Sequence, residues 1–182
     1  MQHLKTEQLI EGLEIILQSP KDNGGVEMIV RRPKENEREV LDVGQLDLEL
    51  GLVGDNWKTR GSSRTNDGFG HPLMQLNLMN SRTIELLAQT KVRWPLAGDQ
   101  FFVDFDLSEE NIPPGTRLSL GTAIIERTNI PHLGCKKFVE RFGMDAMKFV
   151  NSKQGKLLNL RGVNAKVITP GVVKANDRIK KL

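Results

Sequence analysis

Cys135 is the only cysteine among 182 residues, and it lies in the stretch "NIPHLGCKKFVERFG", residues 129–143. Its neighbours are those a reactive thiolate would use. Gly134 removes bulk beside the sulfur, and Lys136 and Lys137 add positive charge. A helix starting at this point would add the partial positive charge of its N-terminus. A thiolate is a nucleophile and also a soft metal ligand. The plainer alternative is a buried cysteine that packs as a small hydrophobe. The residues alone leave both open.

A single cysteine rules out an internal disulfide, and with it zinc or iron–sulfur sites built from several cysteines of one chain. The three histidines, His3, His71 and His132, are too few for an ordinary zinc site. A metal bound here would have to be held mostly by an organic chelate. A cysteine hydrolase needs a histidine base oriented by a third group. His132 precedes the thiol by three residues and His71 is the distant candidate, but neither spacing is diagnostic. His71, just before Pro72, suits a surface or packing position equally well.

The net charge of +3 conceals an asymmetry. Residues 130–182 hold 12 Lys and Arg against 3 acids, whereas residues 1–129 hold 14 against 20. The thiol therefore lies in the basic third. That third is either an ordinary solvated surface or a field that attracts an anion, phosphate-bearing or nucleic acid. With no Tyr, two Trp and 5% aromatics, stacking platforms for nucleic acid are scarce, which disfavours that partner. The apolar runs are too short to span a bilayer, so no membrane role is expected. The N-terminus lacks the basic start and cleavage site of a secretory signal, and a cytoplasmic location is expected.

The elements that must position Cys135 are short. Leu4, Leu9, Leu13, Ile16 and Leu17 recur near helical spacing and predict an N-terminal helix within residues 1–20, with Thr6 as a candidate N-cap. "VEMIVRR" predicts a strand, "PKENERE" a turn and "VLDVGQLDLEL" a further strand. "GLVGDNW" predicts a tight turn tipped by Asp55, and "KTRGSSRTNDGFG" a long polar loop. "HPLMQLNLMN" alternates like a half-buried strand, and "SRTIELLAQ" reads as a helix capped by Asn80 or Ser81. "GDQFFVDFDL" predicts a strand, and "RLSLGTAIIERTNI" a hairpin turning at Gly121 and Thr122. "CKKFVERFG" predicts a helix ended by Gly143, and "MDAMKFVNS" a second helix. Two or three strands follow around "TPG". Seven to nine short strands with few helices predict one mainly β domain over residues 1–182, a distorted β-barrel with short helices inserted. No dinucleotide, P-loop or zinc-protease motif is present.

In this order, "GLVGD", "HP" before a strand, "AGD" before "FFVDFDLSEENIPPGTRLSLG", "PHLGCKKFVERFG" and "LRGVNAKVITPG" resemble a stand-alone bacterial member of the MOSC family, named for the molybdenum cofactor sulfurase C-terminal domain. The resemblance covers residues 41–182. It implies a distorted barrel carrying a reactive cysteine, matched by Cys135. In cofactor-binding relatives that cysteine ligates molybdenum; in sulfurase-linked ones it is discussed as a sulfur carrier. The resemblance also implies a molybdenum cofactor whose pterin ends in a phosphate that basic side chains can hold. Lys136, Lys137, Arg141 and Arg161 are the candidates, with His132, Gly54 and Asp55 at the pocket. Asp55 could meet pterin amines or merely cap its turn.

Some family reductases have Gly-Glu-Asn where this chain has Gly98, Asp99 and Gln100. Three functions follow as expectations. The first is a molybdenum-dependent oxidoreductase of N-hydroxylated small molecules, fed by a redox partner. There Cys135 is the metal ligand, and Asp55, Asp99 or His71 orients substrate or delivers protons. The second is a sulfur carrier loaded on Cys135 by a separate cysteine desulfurase, since the sulfurase's pyridoxal-phosphate domain is not expected here. The third, disfavoured, is a basic barrel that binds nucleic acid.

Overall fold

The computed structural model describes residues 2–62 and 65–182. Eleven strands are formed among them. They are β1 (Gly24–Arg31), β2 (Glu39–Leu41), β3 (Val43–Asp47), β4 (Gly51–Leu52), β5 (Leu76–Asn80), β6 (Phe101–Asp104), β7 (Arg117–Leu120), β8 (Ala123–Arg127), β9 (Val163–Thr169), β10 (Gly171–Lys174) and β11 (Arg178–Lys181). The helices are α1 (Thr6–Glu11), α2 (Leu13–Leu17), α3 (Trp57–Arg60), α4 (Ser81–Ala88), α5 (Lys136–Phe142), α6 (Met144–Asn151) and α7 (Lys153–Leu157). Two 3-10 helices, Pro72–Met74 and Lys91–Ala97, complete the set. None of the described helices is long and apolar enough to cross a membrane.

Seven strands close a barrel in the order β11-β7-β8-β9-β5-β6-β1. Gly24 and Gly25 of β1 pair with Ile179 and Arg178 of β11 to seal it. The barrel is mixed: β5 runs parallel to β6, and the other neighbours are antiparallel. β2 extends β1 outside the ring, while β10, β3 and β4 form a small separate sheet. The expected mainly β, barrel-like architecture is therefore the one observed.

Two apolar layers hold it. The barrel interior is filled by side chains such as Leu76, Leu78, Phe101, Val103 and Ile125, all fully buried. The second layer lies outside the ring, where Met79, Phe102 and Val30 meet Leu9, Ile84, Trp94, Phe138 and Phe142 from the helices. Successive strand residues point to opposite faces. In β6, Phe101 and Val103 face inward and Phe102 faces the helices. β5 is thus buried along its whole length rather than half-buried, because helices cover its outer face and the parallel neighbour β6 flanks it. Each of these large side chains contributes about 1.5–3 kcal/mol of burial.

Other departures from the sequence reading have local causes. The stretch 40–50 is two strands, because the chain leaves β1 at Asp42 and joins the second sheet. "PLM" is 3-10 helix, with His71 extended before it and strand beginning at Leu76. Thr6 opens α1 from inside, so Lys5 is the N-cap residue; Gln8 Oε1 accepts from the Lys5 N–H at 3.0 Å. The 3-10 helix at Lys91–Ala97 and α7 were not legible as elements. The expected loop after Trp57 begins as α3, and positions 63–64 within it lie outside the described residues.

Candidate functional site

Cys135 is the residue preceding α5; its side chain makes no capping bond, and the thiol residue is exposed. Its carbonyl accepts the Phe138 and Val139 N–H groups at 2.9 and 3.1 Å, while Phe138 and Phe142 anchor α5 in the outer apolar layer. The residue before it is clamped. Gly134 N–H donates to Asn151 Oδ1 at 2.9 Å, and Asn151 Nδ2 donates back to the Gly134 carbonyl at 3.1 Å. A Cβ at Gly134 would sit 3.3 Å from both Met147 and Val150, so the small residue lets the turn lie against α6. Upstream, Asn164 Nδ2 donates to the Ile130 carbonyl at 2.9 Å. The segment carrying His132 and Cys135 is thus tied at both ends.

The thiol lies on a cleft of about 480 Å³. Seven basic residues line it: Arg32, Lys34, Arg38, Arg60, Lys137, Arg141 and Arg161. Glu35 is the one acid in the lining, and it pairs with Lys137 at 2.9 Å at the surface. Beneath lie two carboxylates with no exposed side-chain surface. Asp55 accepts Arg32 Nε and Nη2, each at 2.8 Å, and Asp99 accepts Arg161 Nη1 at 2.7 Å. Counting those two acids with Glu35, the cleft keeps an excess of four positive charges.

Lys34 reaches Glu37 at 4.0 Å on the surface, and among the described residues no carboxylate ion pair is made by Arg38, Arg60 or Arg141. Arg38 donates to the Pro95 and Glu37 carbonyls, and Arg141 to the Leu96 carbonyl at 2.7 Å. Burial, with Arg141, Arg32 and Arg60 nearby, lowers the Arg38 pKa; burial and Arg32 lower that of Arg60. Both guanidiniums remain charged, so the lowering marks crowding of like charge that an anion would relieve.

His132 lines this cleft and also a second cavity of about 320 Å³ behind the 129–134 segment. Its Nδ1 faces Asp99 Oδ1 at 3.5 Å, and its side chain is 14% exposed. Burial, followed by Arg161, Arg32 and Arg60, holds its pKa well below the usual 6.5, so the ring is neutral near pH 7. Burial raises the Asp99 pKa, opposed by Arg161.

Of the residues singled out from sequence, Cys135, His132, Lys137, Arg141 and Arg161 come together in the cleft. Asp55 does not offer itself to a pterin: besides Arg32, it accepts the Trp57 and Arg32 backbone N–H groups at 2.9 and 2.8 Å. Asp99 is likewise a buried counter-ion rather than an accessible acid. His71 instead accepts the Leu73 N–H on Nδ1 at 3.1 Å, closing the turn into the 3-10 helix, and it does not line the cleft. Lys136 and Gly54 are also outside the lining; Gly54 packs against Arg31. Sequence reasoning missed Arg32, Lys34, Arg38 and Arg60, which come from the acidic part of the chain. The run "RRPKENER" straight after a strand was the available signal. Among the described residues, no group of three His, Cys, Asp or Glu side chains could hold a metal.

The chain is a small closed mixed barrel with short helices packed on an outer apolar layer and the cysteine cleft beside it. Neither a known family's sequence profile nor a curated relative matches the chain. Solved structures do. YuaD of Bacillus subtilis superposes with a TM-score of 0.59 at 17% identity, over 86% of this chain and 94% of that one. YiiM of Escherichia coli gives 0.55 at 22%, over 87% and 69%. A crystal structure described only as a hypothetical protein gives 0.60 at 20%, over 91% and 70%. YuaD and YiiM are MOSC-domain proteins, and the fold of this chain is the MOSC fold.

Two measurements check this electrostatic description. Arg32→Met strands the Asp55 carboxylate and is expected to cost about 3–5 kcal/mol in urea unfolding. Lys137→Met, which breaks only the exposed pair with Glu35, should leave the urea midpoint unchanged within error. For His132 the folded pKa lies below the unfolded one, so only the unfolded chain takes a proton as pH falls through 6.5. Stability should therefore decline below that pH, and His132→Gln should remove that limb of the curve. The raised Asp99 pKa acts with the opposite sign, binding a proton in the folded state first, and sets in nearer to the usual carboxylate range.

Proposed function

We propose that the cleft binds the molybdenum cofactor and that the protein reduces N-hydroxylated small molecules with electrons from a separate redox partner. The observation that carries the reading is one exposed thiol sharing a cleft with an excess of four positive charges. The residues fit such a group on two counts. The described residues build no metal site of their own, so a metal must bring its other ligands, and one sulfur is what Cys135 can add. A phosphomonoester carries about −1.5 to −2 charge and a thiolate about −1, which together take up most of the excess.

In this reading Cys135 is the protein ligand. Arg38, Arg60, Arg141 and Lys137 hold the phosphate, Arg141 and Arg38 being fixed by main-chain carbonyls that orient their donors. When bound, the cofactor supplies two-electron oxygen-atom chemistry. Arg161 and Arg32, already paired, keep the cleft floor in place rather than contacting ligand. Fold likeness to MOSC proteins supports the cofactor class, and the choice of N-hydroxylated substrate is the finer step.

One observation also favours a second reading: the thiol is exposed, as a group that must dock against another protein's active site has to be. In that case the Cys135 thiolate attacks the outer sulfur of a desulfurase persulfide. A new S–S bond forms on Cys135, and the desulfurase cysteine leaves as its thiolate.

Protein purified anaerobically from a cofactor-producing host should carry stoichiometric molybdenum and pterin, and Cys135→Ala should carry neither. Retention of both by Cys135→Ala contradicts the ligand role. Their absence from the wild type, with added sulfur on Cys135 in intact-mass spectra after incubation with a desulfurase and cysteine, decides for the carrier.

A further inference from the structure

Reductive removal of oxygen from an N-hydroxylated compound consumes two electrons and two protons and releases water. The N–O bond breaks, its electron pair leaving with oxygen. The electrons come from the redox partner, and the protons must be delivered inside the cleft. The carboxylates that sequence suggests for this task are occupied. Both Asp55 oxygens accept from Arg32, and Asp99 Oδ2 accepts from Arg161. His71 is turned to its own 3-10 helix.

His132 is differently placed. Asp99 Oδ1 and His132 Nδ1 are both buried, face each other at 3.5 Å, and have no hydrogen-bond partner among the described residues. Each is the group that can satisfy the other, and such pairs are often long before ligand binds. A neutral imidazole has one N–H, and a buried carboxylate opposite Nδ1 puts it there. That leaves Nε2 with its lone pair free. Position adds a second argument. His132 and Arg161 are the two residues that line both the cysteine cleft and the cavity behind it. Of the two, His132 carries the side chain suited to proton exchange, and it is shared by both spaces.

We infer that His132, positioned by Asp99, is the proton-transfer residue of the cleft, passing protons from water in the rear cavity through Nε2 to the compound being reduced. This rests on the reductase reading above. The charged groups facing the ring are Asp99 before β6, Arg161 before β9, Arg32 after β1 and Arg60 on α3. Burial first, and then the three arginines, keep the resting ring neutral and make the transiently protonated ring a ready donor.

The placement is tested first without turnover. Nitrogen-15 NMR of histidine-labelled protein should show His132 as the neutral Nδ1–H tautomer from pH 8 down to pH 6. An Nε2–H tautomer, or a ring protonated at pH 7, overturns the proposal. In molybdenum-loaded protein, His132→Gln and His132→Asn should bind as much metal as the wild type. Both should lose about 10²-fold or more in kcat with KM little changed, together with the pH dependence of kcat. Wild-type kcat in a fully loaded variant overturns the role of His132 and leaves the cofactor reading standing. A wild type that binds no molybdenum overturns both the cofactor reading and the proton-transfer role, while the tautomer measurement still decides the Asp99–His132 contact.

Discussion

Two guanidiniums are buried beneath the cleft, and the arrangement above them depends on it. Arg32 and Arg161 expose only 4% and 8% of their side chains, and each is matched by a carboxylate exposing none. Each also donates to a main-chain carbonyl of the same short segment, Arg32 to Gly98 at 2.8 Å and Arg161 to Ala97 at 2.9 Å. Residues 97–99 are thereby stapled between the end of β1 and the start of β9. Buried pairs of this kind add little net stability, because desolvation offsets their attraction. What they fix is position. Gly162 completes the staple: its φ of +104° and a carbonyl, that of Leu78, 2.2 Å from where a Cβ would stand admit no side chain, so the chain passes β5 closely and presents Arg161 inward.

Upon this floor the cleft gathers charge that the fold alone does not need. Arg38 and Arg141 have carbonyls, not carboxylates, as their fixed partners, and Arg60 joins them at a cost in mutual repulsion. Surfaces usually disperse such charge, and a concave gathering around one thiol is the form an anion site takes. Cys135 owes its place to neutral contacts: the Asn151 clamp on Gly134, the Asn164 bond to Ile130, and the two phenylalanines of α5.

The sequence was informative where the signal is local. The hairpin at Gly121 and Thr122, the Asn80 cap of α4 and the stop at Gly143 follow from residue type at one position, and all three are observed. The gathering of short strands into a barrel was legible from their number. Strand switching at Asp42 was not, because it depends on which sheet offers the next partner. In the site, the basic third gave Lys137, Arg141 and Arg161. Four of the cleft's seven cations come from residues 32–60, in the acidic part of the chain, and only the barrel brings the two regions together. The acids Asp55 and Asp99 looked functional by type, yet burial makes them counter-ions, a distinction that composition does not carry.

The central claim is that the cations of the cleft act on what approaches Cys135. Its most direct test compares alkylation of Cys135 by anionic iodoacetate and neutral iodoacetamide across ionic strength. The account expects the iodoacetate-to-iodoacetamide rate ratio to exceed that of free cysteine by about threefold or more at low salt, and to fall toward the free value as salt screens the field. A ratio equal to that of free cysteine at every salt concentration would contradict it, leaving an exposed thiol beside charges that do not reach it.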